Sequence, residues 1–297
     1  MTPELNLLQQ LSNAFEAVVA STQDRAVAIR NGSRHVSGLV WQPDVVVASE
    51  QTIGQQDEYE IATANGRAIR AEVVGRDPGT NLLALRLSER IEVAPVPAGA
   101  ARVGGLALVV AASADGTPAA RVGAIRSVGD QWFSRAGGRI EQRIALDIRL
   151  QRTEEGGPVF DASGALIGMS TLGRPGEVLA IPTATLERIV PQLLSEGRAA
   201  RGWLGVALQP IAVPDALIEQ AGQRIAMMVM SVAERGPAAN AGVTAGDILL
   251  TVDGVSLRGL HRLLTQLSED SIGTSMELRL IRGGQILKLS AQVGRRP

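Results

Sequence analysis

Short apolar runs follow one another along residues 25–182, and they constrain the fold more than any other feature of the sequence. They are rich in Val, Ile, Leu and Ala, and Gly, Pro, Asn and Asp separate them. Runs of this kind at a spacing of about ten residues are typical of all-β barrels and sandwiches. A helix with an apolar face follows at residues 183–196. The pattern therefore predicts a mainly β domain over residues 25–196 that ends in a helix.

The sequence changes character from residue 202 onward. Strand-like runs such as "WLGVAL" and "AMMVMSV" alternate here with short helical segments. One of these segments places Leu260, Leu263, Leu264 and Leu267 at the spacing of one helix face. We therefore expect a second, α+β domain over residues 202–297, joined to the first by a linker at residues 197–201.

The N-terminal residues 1–24 favour an amphipathic helix, because apolar residues recur at helical spacing. These residues are Leu7, Leu8, Leu11, Phe15, Val18 and Val19. The segment has neither a basic start nor a continuous apolar stretch, so it is not typical of a signal peptide. No apolar run is long enough to cross a bilayer. These features favour the cytoplasm, with the periplasm or the exterior as the alternative if an N-terminal segment has been removed.

Composition excludes several classes of site. The formal net charge is −1 and no basic stripe is present, which argues against nucleic acid as a partner. The chain has no Cys and only two His, His35 and His261. Disulfides and thiolate metal sites are therefore impossible, and a His-based metal site is not expected. We expect no cofactor and no metal.

Four phrases in a fixed order resemble the bacterial HtrA/Deg-type serine proteases. The phrases are "GRAIRAEVVGRDPGTNLLALRL" (66–87), "EEGGPVFDASGALIGMST" (154–171), "AIPTATLERIV" (180–190), and "RGWLGVAL" (201–208) with "RGPAANAGVTAGDILLTVDGVSL" (235–257). The resemblance covers about residues 36–293. It implies a trypsin-like double β-barrel followed by a PDZ domain.

The resemblance also locates the positions of the catalytic triad, and all three hold unusual residues. In "VVASEQTI" (46–53) the His position holds Gln51, and in "DPGTNL" (77–82) the Asp position holds Asn81. The Ser position, before Gly156 and Gly157, holds Glu155. The chemistry needs a hydroxyl nucleophile, an imidazole base and an orienting carboxylate. This sequence supplies none of them at these positions, so no catalytic residue is predicted.

Other residues near these motifs offer no replacement base. His35 lies in a predicted hairpin, and Asp77 precedes Pro78 in a context that favours a turn. Thr153 occupies the first Gly position of the nucleophile turn, and its β-branch resists unusual backbone angles. We expect the Glu155 side chain to fold over the vacated site and to accept hydrogen bonds from backbone N–H groups.

The PDZ-like region keeps the residues that the resemblance assigns to peptide binding. Such domains add an extended C-terminal peptide to a sheet edge and hold its carboxylate with backbone N–H groups. The resemblance implies that Trp203, Leu204 and Gly205 form the carboxylate loop and that Val206 begins the pairing strand. Leu260 and Leu264 would line the side-chain pocket, with His261 at its rim and Arg201 adding positive charge.

Three interpretations follow from these residues. The first is a catalytically inactive HtrA-like pseudoprotease that binds C-terminal peptides, unfolded proteins or partner proteins through its PDZ domain. It would act as a scaffold, a regulator or a chaperone-like subunit, and the resemblance implies homo- or hetero-trimers. The second is an active endopeptidase that uses non-standard residues, and the third is a purely structural module.

Overall fold

The computed structural model describes residues 3–32 and 34–297, which form two compact units. The first unit comprises Met1–Trp132 and Ile140–Ala199, and the second comprises Phe133–Arg139 and Ala200–Pro297. The stretch Phe133–Arg139 groups with the second unit, although the sequence pattern predicts it within the barrel domain of residues 25–196. Residues 1 and 2 of the predicted N-terminal helix lie outside the described residues.

Helix α1 (Pro3–Thr22) opens the first unit. Leu7, Leu8 and Leu11 are exposed, whereas Phe15, Val18 and Val19 are partly covered. None of the helices in the described part of the chain has both the length and the hydropathy of a bilayer-spanning segment.

The first barrel is closed and has six antiparallel strands. They are paired in the order β1-β2-β3-β6-β5-β4, and β4 returns to pair with β1. The strands are β1 (Ala26–Asn31), β2 (Arg34–Gln42), β3 (Val45–Ser49), β4 (Glu58–Ala62), β5 (Ala68–Asp77) and β6 (Leu82–Leu87). Closure leaves no unpaired sheet edge in this barrel.

The second barrel repeats this design in the order β11-β14-β13-β12-β7-β8, with β8 pairing back to β11. A short hairpin of β9 and β10 separates β8 from β11. The strands are β7 (Leu106–Ala112), β8 (Pro118–Gly129), β9 (Trp132–Phe133), β10 (Arg139–Ile140), β11 (Arg143–Asp147), β12 (Pro158–Asp161), β13 (Leu166–Leu172) and β14 (Val178–Pro182). The prediction of a double β-barrel is confirmed.

Strand β3 shows why the apolar runs of this domain do not alternate with polar residues. Val46 and Ala48 belong to the core inside the first barrel. Val45 and Val47 point the other way, into a layer shared with Phe160 of the second barrel. Because a strand that is buried on both faces needs apolar residues at every position, the run "VVVA" is continuous.

Helix α2 (Thr183–Glu196) spans the segment predicted from its apolar face. Its buried side chains, Leu186, Ile189, Val190 and Leu193, join the layer between the barrels. Gly75 on β5 permits this close packing, because a Cβ atom there would lie 2.6 Å from the Leu193 carbonyl oxygen. Five 3₁₀ turns complete the described chain outside the α-helices: Gln23–Arg25, Glu50–Thr52, Arg152–Glu154, Asp215–Leu217 and Glu269–Ser271.

The second unit has the α+β fold that was predicted. Its main sheet has the order β16-β17-β18-β20-β21, so that β16 is an edge strand. β19 pairs with β18, and β15 pairs with β22. The strands are β15 (Gly202–Trp203), β16 (Val206–Ala212), β17 (Ile225–Val232), β18 (Ile248–Val252), β19 (Val255–Ser256), β20 (Ser275–Arg282), β21 (Gln285–Gln292) and β22 (Gly294–Arg295). The helices are α3 (Ile218–Ala221), α4 (Pro237–Asn240) and α5 (Leu260–Gln266).

A buried carboxylate, Asp247, ties this unit together. Its Oδ1 accepts from Arg282 Nε at 2.7 Å, and its Oδ2 accepts from Arg282 Nη2 at 2.7 Å and from the Thr244 N–H at 2.9 Å. Burial by itself raises the pKa of Asp247. The hydrogen bonds from Arg282 and Thr244 outweigh burial, and they hold this pKa below its ordinary value.

This pKa predicts an acid-sensitive second unit. Because the folded-state pKa is lowered, the stabilisation by Asp247 is present above the unfolded-state pKa of about 3.9 and is lost as the pH falls through the lower folded-state value. Asp247→Asn is expected to cost about 2 kcal/mol of unfolding free energy at pH 7 and to flatten this acid dependence. Urea unfolding at pH 7 and pH 3, followed by Trp203 fluorescence in a background with Trp41 and Trp132 changed to Phe, measures both.

Asp215→Asn, at an exposed position in a 3₁₀ turn, is the matched control for this substitution. It should leave the urea midpoint within error at both pH values. Equal acid dependence of Asp247→Asn and the parent would contradict the assignment.

Candidate functional site

The structure brings together the three residues at the triad positions. Gln51 lies in the 3₁₀ turn that follows β3, Asn81 immediately precedes β6, and Glu155 lies between the turn Arg152–Glu154 and β12. The first two positions belong to the first barrel and the third to the second barrel. The site therefore forms where the ends of strands from the two barrels meet.

Glu155 is the centre of this cluster and is only 1% exposed. One of its oxygens, Oε1, accepts four hydrogen bonds. The donors are Ser49 Oγ at 2.7 Å, Gln51 Nε2 at 2.6 Å, Thr171 Oγ1 at 2.9 Å and the Leu172 N–H at 3.1 Å. The other oxygen, Oε2, is buried and has no hydrogen-bond partner within residues 3–32 and 34–297.

The expected direction of the Glu155 side chain is thus observed, but its partners differ from the expectation. Only one donor, Leu172, is a backbone N–H, and it lies on β13 rather than in the nucleophile turn. Ser49, Gln51 and Thr171 supply the remaining bonds. Neither Ser49 nor Thr171 carries a signal in the sequence, because the resemblance marks only the triad positions themselves.

Asn81 organises the same cluster without touching Glu155. Its Nδ2 donates to Ser49 Oγ at 2.8 Å and to Thr171 Oγ1 at 2.9 Å, and its Oδ1 accepts from the Gln51 N–H at 2.8 Å. Both hydroxyl groups can then direct their own protons at Glu155. Asn81 has φ of 59°, a left-handed conformation that Asn adopts more readily than most residues.

Gln51 occupies the position of the catalytic base, but its side-chain amide acts as a hydrogen-bond donor. Besides Glu155, its Nε2 group contacts the Leu172 carbonyl oxygen at 3.0 Å and Thr171 Oγ1 at 3.3 Å. An amide cannot take up a proton near neutral pH. We call this set of residues, Ser49, Gln51, Asn81, Glu155, Thr171 and Leu172, the Glu155 network.

The turn before Glu155 is held by its own contacts. Glu154 accepts from the Gln151 N–H at 2.8 Å and forms an ion pair with Arg121 at 2.8 Å. The Thr153 carbonyl oxygen accepts from Ser37 Oγ at 2.9 Å. Gly156 has φ of 93°, and a Cβ there would lie 2.2 Å from the Ser37 carbonyl oxygen. Only Gly fits at position 156, which explains why the glycine of the motif is present.

The other titratable candidates lie elsewhere or have structural partners. Asp77 is buried and accepts from the Gly79 N–H, the Thr80 N–H and Thr80 Oγ1, which makes it a turn former. His35 pairs with Arg30 across the β1–β2 hairpin. Within the described residues, no group of three or more His, Asp or Glu side chains is placed to hold a metal ion.

The second unit contains the loop that was predicted to hold a peptide carboxylate. Gly205 has φ of 76°, and the carbonyl oxygens of Leu204 and Gly205 accept from the N–H groups of Ala238 and Ala233. No acceptor is found in the described chain for the N–H groups of Leu204 and Gly205 themselves. Two backbone donors are thus free at the start of the edge strand β16, where Val206 begins the pairing.

The side chains of Trp203 and Leu204 pack within the second unit and hold this loop in place. Leu204 is buried in the core of the unit. The Trp203 ring lies close to Gly205, Gly236 and Gly294, where added Cβ atoms would be 3.0, 3.4 and 3.7 Å from ring carbons. Trp203 therefore has a packing role against glycine turns.

Helix α5 presents an apolar edge beside this loop. Leu263 and Leu267 are buried in the core, whereas Leu260 is 48% exposed and Leu264 is half-buried. Leu260 and Leu264 are four residues apart and share one face of the helix. Their exposure is what a side-chain pocket at the edge of the sheet requires.

The stretch Phe133–Arg139 contacts the same helix, which the sequence did not indicate. A Cβ atom on Gly137 would lie 2.5 Å from Leu264 Cβ, and His261 Nδ1 is 3.3 Å from the Arg135 carbonyl oxygen. Arg201 Nη1 donates to the Gly137 carbonyl oxygen at 2.8 Å. Arg201 is thus engaged with this stretch, in addition to any attraction for a carboxylate.

Comparison with known proteins identifies two domain families in this chain. Residues 36–169 match the trypsin-like peptidase domain family and residues 202–293 match the PDZ domain family. The "Probable periplasmic serine endoprotease DegP-like" of Brucella suis is 28% identical over 274 residues, which are 88% of this chain and 52% of that protein. The protein of the same description from Bartonella henselae is 29% identical over 255 residues, which are 81% of this chain and 49% of that protein. The chain spans about half the length of the curated relatives it matches.

Solved structures agree with this assignment. "HtrA-type protease AlgW with tripeptide" is 25% identical with a TM-score of 0.64, covering 95% of this chain and 97% of that one. "Crystal structure of the serine endoprotease from Yersinia pestis" is 23% identical with a TM-score of 0.69, covering 95% of this chain and 98% of that one. The chain joins a trypsin-like peptidase domain to a PDZ domain, and these matches together support an HtrA-family protease fold.

Proposed function

We propose that this chain is a catalytically inactive member of the HtrA family that binds peptides or partner proteins through its PDZ domain. The observation that carries this proposal is the state of Glu155. The nucleophile position holds a buried carboxylate that accepts four hydrogen bonds, and the base position holds an amide that donates to it. The nucleophile position therefore offers no hydroxyl or thiol, and the amide at the base position cannot take up the proton that acyl transfer requires.

The alternative, an endopeptidase with non-standard residues, finds less support. A carboxylate nucleophile attacking a peptide bond would form an anhydride and would need an acid for the leaving amine. No His lies in the Glu155 network, and Asp77 is engaged by Gly79 and Thr80. Loss of a single triad member already costs on the order of 10⁴-fold in rate in the trypsin-like enzymes that define this chemistry.

Peptide binding is supported by the geometry of the second unit. The free N–H groups of Leu204 and Gly205 suit a carboxylate, β16 offers a sheet edge, and Leu260 and Leu264 offer an apolar face. One of the similar solved structures carries a tripeptide, as its description states. We propose that this chain binds the C-terminus of an extended peptide along β16, beside Leu260 and Leu264.

We further propose that the chain acts as a scaffold, regulator or chaperone-like subunit in protein quality control, as a homo- or hetero-trimer. The exposed apolar residues of α1 suit an oligomer contact. The matched relatives are described as periplasmic, which favours the periplasm over the cytoplasm expected from the N-terminal sequence. We propose a periplasmic location for this chain.

The first test of this proposal is hydrolysis of fluorescently labelled casein by the purified chain and by its Glu155→Ala variant. We expect no hydrolysis above the buffer rate from either protein, because the triad positions hold neither a hydroxyl nucleophile nor an imidazole base. The serine endoprotease from Yersinia pestis, assayed in parallel, serves as the positive control. Hydrolysis by the parent that survives repurification and is lost in Glu155→Ala would overturn the proposal.

A further inference from the structure

A second candidate binding site lies in the barrel unit. A cavity of about 280 Å³ is lined by nine residues, among them Arg25, Trp41, Val96, Ala98, Thr183 and Glu187. It shares no residue with the Glu155 network. Its walls come from the 3₁₀ turn after α1, the end of β2, the connection between the barrels and the start of α2.

Arg25 gives this cavity its chemistry. Its side chain is only 8% exposed, and its guanidinium donates to three carbonyl oxygens. These are Val40 O at 2.9 Å, Trp41 O at 3.4 Å and Ala94 O at 2.5 Å. Three bonds engage at most three of the five guanidinium N–H groups. The Nε–H is buried and lacks an acceptor in the part of the chain that the structure describes.

The charge of Arg25 is also uncompensated. Carbonyl oxygens satisfy its hydrogen bonds but carry no net charge, and no carboxylate in residues 3–32 and 34–297 lies within ion-pair distance of it. Burial lowers the pKa of Arg25, which reflects the cost of the isolated charge. A buried cation without an anion is unfavourable, and an anionic ligand removes this penalty.

Two further features of the cavity suit a ligand that carries both a carboxylate and an apolar group. Thr183 is the first residue of α2, a helix of 14 residues whose N-terminus has no side-chain cap. The N–H groups and the dipole at such an end attract negative charge. The remaining walls are apolar: the indole of Trp41, Val96 and the rings of Pro95 and Pro97. An inorganic anion would leave these walls uncovered.

We propose that this cavity binds an organic carboxylate with an apolar body, the carboxylate pairing with Arg25 and the body packing on Trp41. Glu187 lies at the exposed rim, one turn along α2 from Thr183. Its negative charge repels an anionic ligand, so we expect Glu187 to weaken binding. None of the residues that line the cavity belongs to the second unit or to the Glu155 network.

Isothermal titration calorimetry of the full chain with phenylacetate at low ionic strength tests the site. Its uncharged analogue 2-phenylethanol is the ligand control. We expect saturable 1:1 binding of phenylacetate and at least tenfold weaker binding of 2-phenylethanol. Two-dimensional NMR of the three Trp indole N–H groups, with the Trp41 signal assigned from Trp41→Phe, should show shifts confined to Trp41. Absence of saturable binding would overturn the proposal.

Variants locate the site and separate it from the carboxylate loop of the PDZ domain. Ala98→Phe fills the cavity from an exposed position and is expected to weaken binding at least tenfold, whereas Ala100→Phe, an exposed neighbour that does not line the cavity, should not. Binding that survives Ala98→Phe but is lost in Leu264→Glu would assign phenylacetate to the PDZ groove and refute the inference.

The charge on the ligand is tested by two further substitutions. Glu187→Gln removes the opposing charge and should tighten phenylacetate binding about twofold, the size typical of an exposed charge pair. Arg25→Lys keeps a cation but loses the planar fork and should weaken binding. Weaker binding in Glu187→Gln would contradict an anion site, and the Glu187 variant remains informative if the Arg25 variant fails to fold.

Discussion

Replacing Glu155 with alanine is expected to lower the free energy of unfolding of the barrel unit by about 2–4 kcal/mol. The substitution removes the single acceptor shared by Ser49, Gln51, Thr171 and the Leu172 N–H. The Ser49 and Thr171 side chains are buried, so solvent reaches their hydroxyl groups poorly, whereas Gln51 is exposed. Losing a buried acceptor costs the desolvation of each donor that is left unpaired. Chemical denaturation followed by Trp41 fluorescence, in a background with Trp132 and Trp203 changed to Phe, measures the loss.

Glu155→Gln is the matched control for this experiment. Its carbonyl oxygen can replace Oε1 and keep the four donors satisfied, while its NH₂ group takes the place of Oε2, which has no partner in the described chain. We expect a cost of about 1 kcal/mol, well below that of alanine. If Glu155→Ala equals or exceeds the parent in stability, burial of the charge is a net cost, and the network does not stabilise the fold.

Gly205→Ala is expected to weaken binding of a C-terminal peptide at least tenfold, or about 1.4 kcal/mol or more. At φ of 76° a Cβ atom is strained, and here it would also lie 3.0 Å from a Trp203 ring carbon and 3.2 Å from Ala233 Cβ. Either the loop or the ring must move, and the free N–H groups of Leu204 and Gly205 then lose their alignment. Fluorescence anisotropy with heptapeptides selected from a free-carboxylate library measures the effect.

Gly222→Ala is the control that distinguishes backbone strain from damage to the carboxylate loop. Gly222 also has a positive φ, of 69°, but nothing lies within 4 Å of its added Cβ. Its substitution should cost some stability and leave peptide affinity unchanged. Peptides with an amidated C-terminus should not bind the parent. Equal loss of affinity in both glycine variants, or binding of amidated peptides, would show that Leu204 and Gly205 do not hold the carboxylate.

The sequence predicts the fold well because its local signals agree with its long-range packing. The uninterrupted apolar run at residues 45–48 reflects a strand that is buried on both faces, and α2 has the bounds that its apolar face and Gly197 indicate. Motif comparison likewise identified the positions of Gln51, Asn81 and Glu155. Each of these signals lies within a few residues of sequence.

The contacts that define the site were not predictable in the same way. Thr171 is 120 residues from Gln51 and 90 from Asn81, and it meets them only because the two barrels pack against each other. Ser49 is the last residue of β3, and nothing in the neighbouring sequence indicates that it contacts Glu155. The contact of Gly137 with Leu264 depends on where a loop of the barrel sequence lies in the tertiary structure.

The Glu155 network also restricts how this chain can change by mutation. Exchange of Glu155 for serine leaves Gln51, Thr171 and Leu172 without their acceptor, and it supplies no base. Exchange of Gln51 for histidine removes one of the four donors to Glu155 Oε1 and places an imidazole beside the carboxylate. Both exchanges alter the shared hydrogen bonds of the Glu155 network, so residues 51 and 155 are expected to change together rather than one at a time.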